Sequence, residues 1–142
     1  MLTLLDVSVL LPLSWPNHQF HHCAAAYMKQ WQGRWATCAI TQLGFIRLSS
    51  TPKVVGVTIS PIDAQRLLHR MTSGPRHQYI EALGPPDGEI LGAHFGRILG
   101  PRQTTDAYLV ALAEREGAEF ATFDTKLAAL SASVHVLDPS MV

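Results

Sequence analysis

Three aspartates occupy positions from which they could hold a divalent cation together. Asp6 closes the apolar run of residues 2–6, and Asp124 closes that of residues 120–124. Strands of this composition belong inside a parallel sheet, so both carboxylates would lie in the crevice beyond the carboxyl ends of the strands. Asp106 follows a threonine cap, in the first turn of a predicted helix. Three such carboxylates suit a hard cation such as Mg²⁺, which prefers oxygen ligands.

The elements that must position these acids alternate between strand and helix. Strands are predicted at 2–6, 35–38, 120–124 and 134–137. Residues 7–10 continue the first strand, and helices follow Asn17, Thr41, Ser60 and Thr105. Pro52 is predicted to stop the second helix, residues 74–88 to form a loop, and Gly117 to cap the helix that carries Asp106. Right-handed crossovers then give an α/β fold, a three-layer α/β/α sandwich with a central parallel sheet.

Composition sets the outer limits. A chain of 142 residues with 47% hydrophobic content predicts one domain, residues 1–142, with a substantial core. The formal net charge is zero, so nucleic-acid binding would need a local basic patch. Two cysteines favour a reducing, cytoplasmic location. No targeting signal is expected, and the first apolar stretch is far shorter than a membrane span, so no membrane association is predicted.

Four segments of the chain carry a specific resemblance. Residues 4–10, 41–47, 105–109 and 121–124 resemble, in order and spacing, the PIN-domain ribonucleases, in particular the VapC toxins of toxin–antitoxin pairs. The resemblance implies a PIN-like fold and RNA cleavage that depends on Mg²⁺ or Mn²⁺ and leaves 5′-phosphate and 3′-hydroxyl ends. It places Asp6, Asp106 and Asp124 on three acidic positions of the family. It also implies a homodimer, a VapB-like antitoxin as partner, and tRNA or rRNA as substrate.

One position departs from the family pattern. Gln42 stands where PIN domains usually have a glutamate in the helix after the second strand. An amide can contact a metal-bound water but brings no charge, so weaker cation affinity is expected, and the number of metals stays open. Three carboxylates can still hold one Mg²⁺ that keeps several waters.

Further residues are candidates for supporting roles. Ser8 and Thr105 could orient the neighbouring carboxylates or a ligand water as hydrogen-bond donors. Arg47, Arg102 and Lys126 lie close in sequence to the acidic motifs, and they are candidates for contacts to RNA phosphates.

Three other interpretations compete with the nuclease. His18 and His22 are spaced four apart on the helix predicted after Asn17, beside His21, a geometry that zinc sites use, although no second ligand pair is evident. A PIN-like module that binds RNA or a protein without cleavage would explain Gln42. A phosphate-transfer domain with a strand-end aspartate as nucleophile lacks a second acid beside Asp6 and a glycine-rich loop.

Overall fold

A parallel sheet forms the centre of the computed structural model, which describes residues 1–141. Within these residues five strands pair in the order β3-β2-β1-β4-β5, and every neighbouring pair is parallel. The strands are β1 (Leu2–Leu5), β2 (Arg34–Thr37), β3 (His77–Tyr79), β4 (Glu119–Thr122) and β5 (Val134–Val136). The predicted α/β fold with a central parallel sheet is confirmed.

Helices cover both faces of this sheet. The helices are α1 (Val7–Ser14), α2 (His21–Gln30), α3 (Ala39–Ser49), α4 (Pro52–Val55), α5 (Pro61–Thr72), α6 (Gly92–Phe95) and α7 (Thr104–Arg115). One core joins residues of α1 to α5 to one face of the sheet, and a second core joins α6 and α7 to the other. Leu4 and Leu5 are both fully buried, one in each core, because successive side chains of a strand point to opposite faces. This double burial explains the unbroken apolar runs of the sequence.

The strand order creates a switch point in the middle of the sheet. From β1 the chain moves outward to β2 and β3, then returns to place β4 on the other side of β1. Leu5 pairs with Ala121, so Asp6 and Thr122 follow at the carboxyl ends of adjacent strands. In open parallel sheets ligands bind at such a reversal of strand order. The fold therefore places the ends of β1 and β4 at its favoured ligand site.

The structure corrects several predictions near the N-terminus. Residues 7–10 are not extended: they belong to α1, which contains Pro12. A continuous apolar run cannot by itself distinguish a buried helix from a buried strand. Asn17 does not cap α2, which begins at His21 after Phe20; its side-chain amide donates instead to the carbonyl of Val55, at 3.0 Å.

Other elements begin or end at residues different from those predicted, for local reasons. Thr41 is not the cap of α3 but its third residue, and its hydroxyl accepts a hydrogen bond from the backbone N–H of the true cap, Cys38, at 3.1 Å. Pro52 begins the short helix α4, because proline fits the first helical turn. Residues 74–88 were expected to be loop but contain the edge strand β3, whose three residues are too few to give a pattern.

The ends of the longer helices agree better with expectation. The Ser60 hydroxyl accepts from the Asp63 N–H at 3.2 Å and caps α5 as predicted. Helix α7 ends at Arg115, and Gly117 lies beyond it with a φ of 63°, the left-handed conformation that favours glycine. Among the described residues, no helix combines the length and apolar character needed to cross a bilayer.

Candidate functional site

Asp6 is the most buried of the three predicted acids. It follows β1 directly and precedes the first residue of α1, and its side chain is 7% exposed. Its backbone N–H continues the pairing with β4 by donating to the carbonyl of Ala121, at 2.9 Å. The backbone position of this carboxylate is therefore fixed by the sheet itself.

Two hydroxyl groups hold one oxygen of the Asp6 carboxylate. Oδ2 accepts a hydrogen bond from the Thr122 hydroxyl at 2.7 Å and another from the Ser8 hydroxyl at 2.9 Å. These hydroxyls in turn accept from the backbone N–H groups of Asp124, at 3.1 Å, and Phe123, at 3.1 Å. The two hydroxyl oxygens also lie 3.3 Å from each other, so Ser8 and Thr122 form one network around this carboxylate. Oδ1 receives no hydrogen bond from the described residues and stays available to a ligand.

The Asp106 carboxyl responds to the charges of the other two acids. Asp106 is half-buried in the first turn of α7, and Asp124 is half-buried just beyond β4. Burial, followed by the negative charges of Asp6 and Asp124, raises the pKa of Asp106 to about 6. Asp124 also accepts from the Lys126 N–H at 3.0 Å, which makes it the cap of a short 3₁₀-helix. Its turn role and a site role are thus compatible.

A cleft of about 470 Å³ opens beside two of these acids. Asp106 and Asp124 line it together with Arg102 and Lys126. Two carboxylates and two cations in one cleft suit a ligand that carries both a metal ion and a negatively charged group. Arg47 is not among the residues that line it: eight residues separate it from the start of α3, which places it roughly 12 Å along that helix at 1.5 Å per residue.

Gln42 has a different set of partners. Its side-chain amide donates to the Thr37 hydroxyl at 2.9 Å, and that hydroxyl lies 2.8 Å from Nε2 of His77. No hydrogen bond among the described residues joins Gln42 to an aspartate. Thr37 ends β2, the neighbour of β1, so the Gln42 amide lies at the carboxyl end of the sheet, as Asp6 does.

Two other predicted features lie apart from the carboxylates. Thr105 makes no hydrogen bond to an aspartate within residues 1–141, and it lines a second cavity on α7. His18 precedes α2 and accepts from the Phe20 N–H at 3.0 Å, so His18 and His22 do not share a helix. The helical geometry that suggested a zinc pair therefore does not occur.

A comparison with protein-family models identifies the family of this chain. The model of the PIN domain matches residues 3–132, most of the chain and all of the acidic site. The chain belongs to the PIN-domain family. Its aspartates thus stand in the sequence context of that family as well as at the switch point of its sheet.

Curated relatives of this PIN domain have names that state an activity. Ribonuclease VapC39 of Mycobacterium tuberculosis is 38% identical over 132 residues, which cover 90% of this chain and 92% of the relative. Ribonuclease VapC38 of the same organism is 36% identical over 128 residues, covering 87% and 85%. Relatives named ribonuclease VapC therefore match this PIN domain over nearly its whole length.

A solved structure shares the fold despite low identity. The crystal structure of VapBC2 from Rickettsia felis, bound to a DNA fragment from their promoter, superposes with a TM-score of 0.61 at 13% identity. The match covers 97% of this chain and all of the other. At this identity the similarity concerns the fold alone.

Sequence reasoning about this PIN domain missed Thr122. The residue is fully buried, yet its hydroxyl makes the shortest hydrogen bond to Asp6. A threonine inside a strand usually reflects strand propensity, so its type carried little information. Its position was the one useful indication. Thr122 lies two residues before Asp124, and residues two apart in a strand face the same side of the sheet.

The raised pKa of Asp106 predicts a pH effect on stability without metal. A carboxyl whose pKa is about 6 in the folded state and about 3.9 in the unfolded state binds its proton more tightly when folded. In EDTA the wild type should gain stability as pH falls from 7 to 5, relative to Asp106→Asn. Solvent screening of this half-exposed group reduces the expected gain to about 1 kcal/mol. Thermal unfolding of both proteins at the two pH values measures it, and equal pH responses would contradict it.

Proposed function

We propose that this PIN domain is the endoribonuclease toxin of a toxin–antitoxin pair and hydrolyses RNA phosphodiester bonds. One observation supports the proposal: the charges of Asp6 and Asp124 act on Asp106, and Asp106 and Asp124 line a cleft together with Arg102 and Lys126. The ribonuclease names of the relatives support the same activity. A cytoplasmic location would follow from it, because the expected substrates, tRNA or rRNA, are cytoplasmic molecules.

The donor set fits a divalent cation. Asp6, Asp106 and Asp124 offer oxygen atoms only, which is the preference of Mg²⁺ and Mn²⁺. Burial, together with the negative charges of Asp6 and Asp124, raises the pKa of Asp106, and a positive ion would relieve the repulsion among these charges. No three His, Cys, Asp or Glu side chains within residues 1–141 form a ready-made ligand cluster. Mg²⁺ usually keeps several waters, so the proposal requires only one or two direct carboxylate ligands.

The protein's own groups have distinct tasks in this proposal. Asp6 and Asp106 are the expected direct ligands, and Asp124 binds directly or through water. Ser8 and Thr122 hold Oδ2 of Asp6, so its other oxygen faces the ligand in one orientation. When bound, the cation supplies an activated water and offsets the charge that develops on the phosphate.

Positive side chains complete the substrate site. Arg102 and Lys126 are both exposed at the cleft, where they can contact RNA phosphates and offset the negative acids. Arg47 lies farther along α3, so any RNA contact there would involve a remote part of the substrate.

The partners belong to the proposal as well. The VapBC2 complex supports a VapB-like antitoxin as partner, and a homodimer is expected from the same family. Exposed apolar side chains on α3 and α5, including Leu43 at 66% and Ile62 at 51% exposure, offer surface for such contacts.

Sequencing of RNA ends after induction tests the activity directly. We expect new 5′-phosphate and 3′-hydroxyl ends at a small number of sites in tRNA or rRNA. Purified protein should produce the same ends in Mg²⁺ and none in EDTA. Protein that binds RNA but creates no ends under either condition would indicate a binding module.

Gln42 provides a graded test of the metal site. Gln42→Glu adds a negative charge at the position where the family usually carries one, so the Mg²⁺ concentration for half-maximal activity should fall. An additional charge a few ångströms away in a hydrated setting is worth about 1 kcal/mol, or about fivefold in affinity. Gln32→Glu, on an exposed residue before β2, is the matched control. An unchanged or higher Mg²⁺ midpoint would place Gln42 outside the site.

A further inference from the structure

A second cavity adjoins the acidic site on the other side of the α7 N-terminus. Its volume is about 440 Å³, within the usual range of small-ligand pockets. Thr104 and Thr105 of α7 line it, whereas Gln103 and Asp106 of the same segment line the acidic cleft. The two cavities therefore share the short segment of chain that carries Asp106.

The walls of this cavity are neutral and largely apolar. Phe95 and Tyr108 contribute aromatic rings, and Ile40, Leu83, Pro85 and Pro86 contribute aliphatic surface. None of its lining residues in the described chain is charged. A site next to three carboxylates that itself has no charge suits a flat, uncharged group attached to an anionic phosphate.

Tyr108 supplies an unused hydrogen-bond donor. The residue is 9% exposed, and its hydroxyl accepts a hydrogen bond from the Leu83 N–H at 2.9 Å, which holds the 82–86 loop against α7. No acceptor among the described residues takes the proton of this hydroxyl. Because Tyr108 lines the cavity, a ligand carbonyl or ring nitrogen there could accept this proton.

We propose that this cavity binds an unpaired RNA base next to the phosphate that is cleaved. The inference rests on the proposed ribonuclease function and adds to it the place where one base of the substrate would lie. Unstacked bases are recognised by stacking on aromatic side chains and by hydrogen bonds to their edges, and the cavity provides both. A duplex could not place a base there without unpairing it.

The test blocks the cavity from its rim. Ala82 lines the cavity, is exposed, and lies outside the acidic cleft, so Ala82→Trp should fill the space without disturbing folding or metal binding. Ala132→Trp, on an exposed turn before β5, is the matched control. Binding is measured by fluorescence anisotropy in EDTA at low salt, where nothing is cleaved. The two probes are an unstructured RNA oligonucleotide and an abasic ribose-phosphate chain of the same length.

We expect Ala82→Trp to weaken binding of the RNA about tenfold, the scale of one base stacked on aromatic rings. Binding of the abasic chain should change by less than about twofold, because phosphate contacts are retained. Tyr108→Phe keeps the ring but removes the hydroxyl, both as a donor and as the acceptor for the Leu83 N–H, and it should lower the RNA affinity by a smaller factor. Ala132→Trp should alter neither probe.

Several results would overturn the inference. Equal weakening of both probes, unchanged RNA affinity, or wild-type protein that does not prefer RNA over the abasic chain would each exclude base binding. Loss of antitoxin binding with unchanged RNA affinity would assign the cavity to a protein partner instead. Because binding is measured without metal, failure of this inference is distinguishable from absence of cleavage, which would contradict the proposed function.

Discussion

Asp6→Asn should reduce RNA cleavage in Mg²⁺ at least about a hundredfold while the protein remains folded. The amide keeps the volume of the carboxylate but removes the charge that is held in place by Ser8 and Thr122. A bound cation contributes several kcal/mol to stabilising the transition state, and each loss of about 1.36 kcal/mol slows a reaction about tenfold. Asp106→Asn is expected to have a comparable effect. Cleavage of a labelled RNA, with circular dichroism to verify folding, provides the measurement.

The matched control for these variants is Asp87→Asn. Asp87 is exposed in the loop before α6, so its replacement makes the same chemical change away from the cleft. It should cleave RNA at the wild-type rate. Wild-type activity in Asp6→Asn would show that the three carboxylates are not the catalytic site, and equal losses in all variants would indicate a general charge effect.

Thr122→Val should lower activity roughly 10- to 100-fold, the usual cost of removing a group that orients a metal ligand. Valine preserves the shape and the strand preference of threonine, so the change isolates the hydroxyl. That hydroxyl donates to Asp6 and accepts from the Asp124 N–H, so its loss loosens two of the three acids at once. The free energy of unfolding should also fall, by about 2 kcal/mol, because a buried hydrogen bond to a charged group is lost.

Thr3→Val separates the two effects of Thr122→Val. Thr3 is equally buried in β1, but its hydroxyl pairs with the Tyr27 hydroxyl at 2.8 Å, and Tyr27 donates to Glu119 rather than to any of the three aspartates. We expect Thr3→Val to lose stability while keeping its rate and its Mg²⁺ midpoint, below the unfolding temperature of both variants. If Thr3→Val and Thr122→Val lose activity equally, Thr122 contributes through stability alone.

The sequence alone determined the strand-forming runs and the acids that end them. A parallel strand that is buried on both faces needs apolar side chains on both faces. The strands β1 and β4 can therefore be recognised in the sequence as unbroken hydrophobic segments. Helix caps such as Ser60 and the glycine after α7 could be predicted from the sequence, because their roles depend on the local backbone conformation. The short edge strand β3 could not, since it has too few residues to show a pattern.

Only the tertiary structure decided how these acids are organised. The order β3-β2-β1-β4-β5 places β1 beside β4, although more than a hundred residues separate Asp6 from Thr122 along the chain. That pairing turns a buried threonine into a partner of Asp6. The packing of α7 over the sheet buries Asp106 near the negative charges of Asp6 and Asp124, which together raise its pKa. Such contacts depend on long-range pairing and on the packing of α7 over the sheet. Local spacing carries no information about either, so the chemistry of the residues could be predicted from the sequence, but their partners could not.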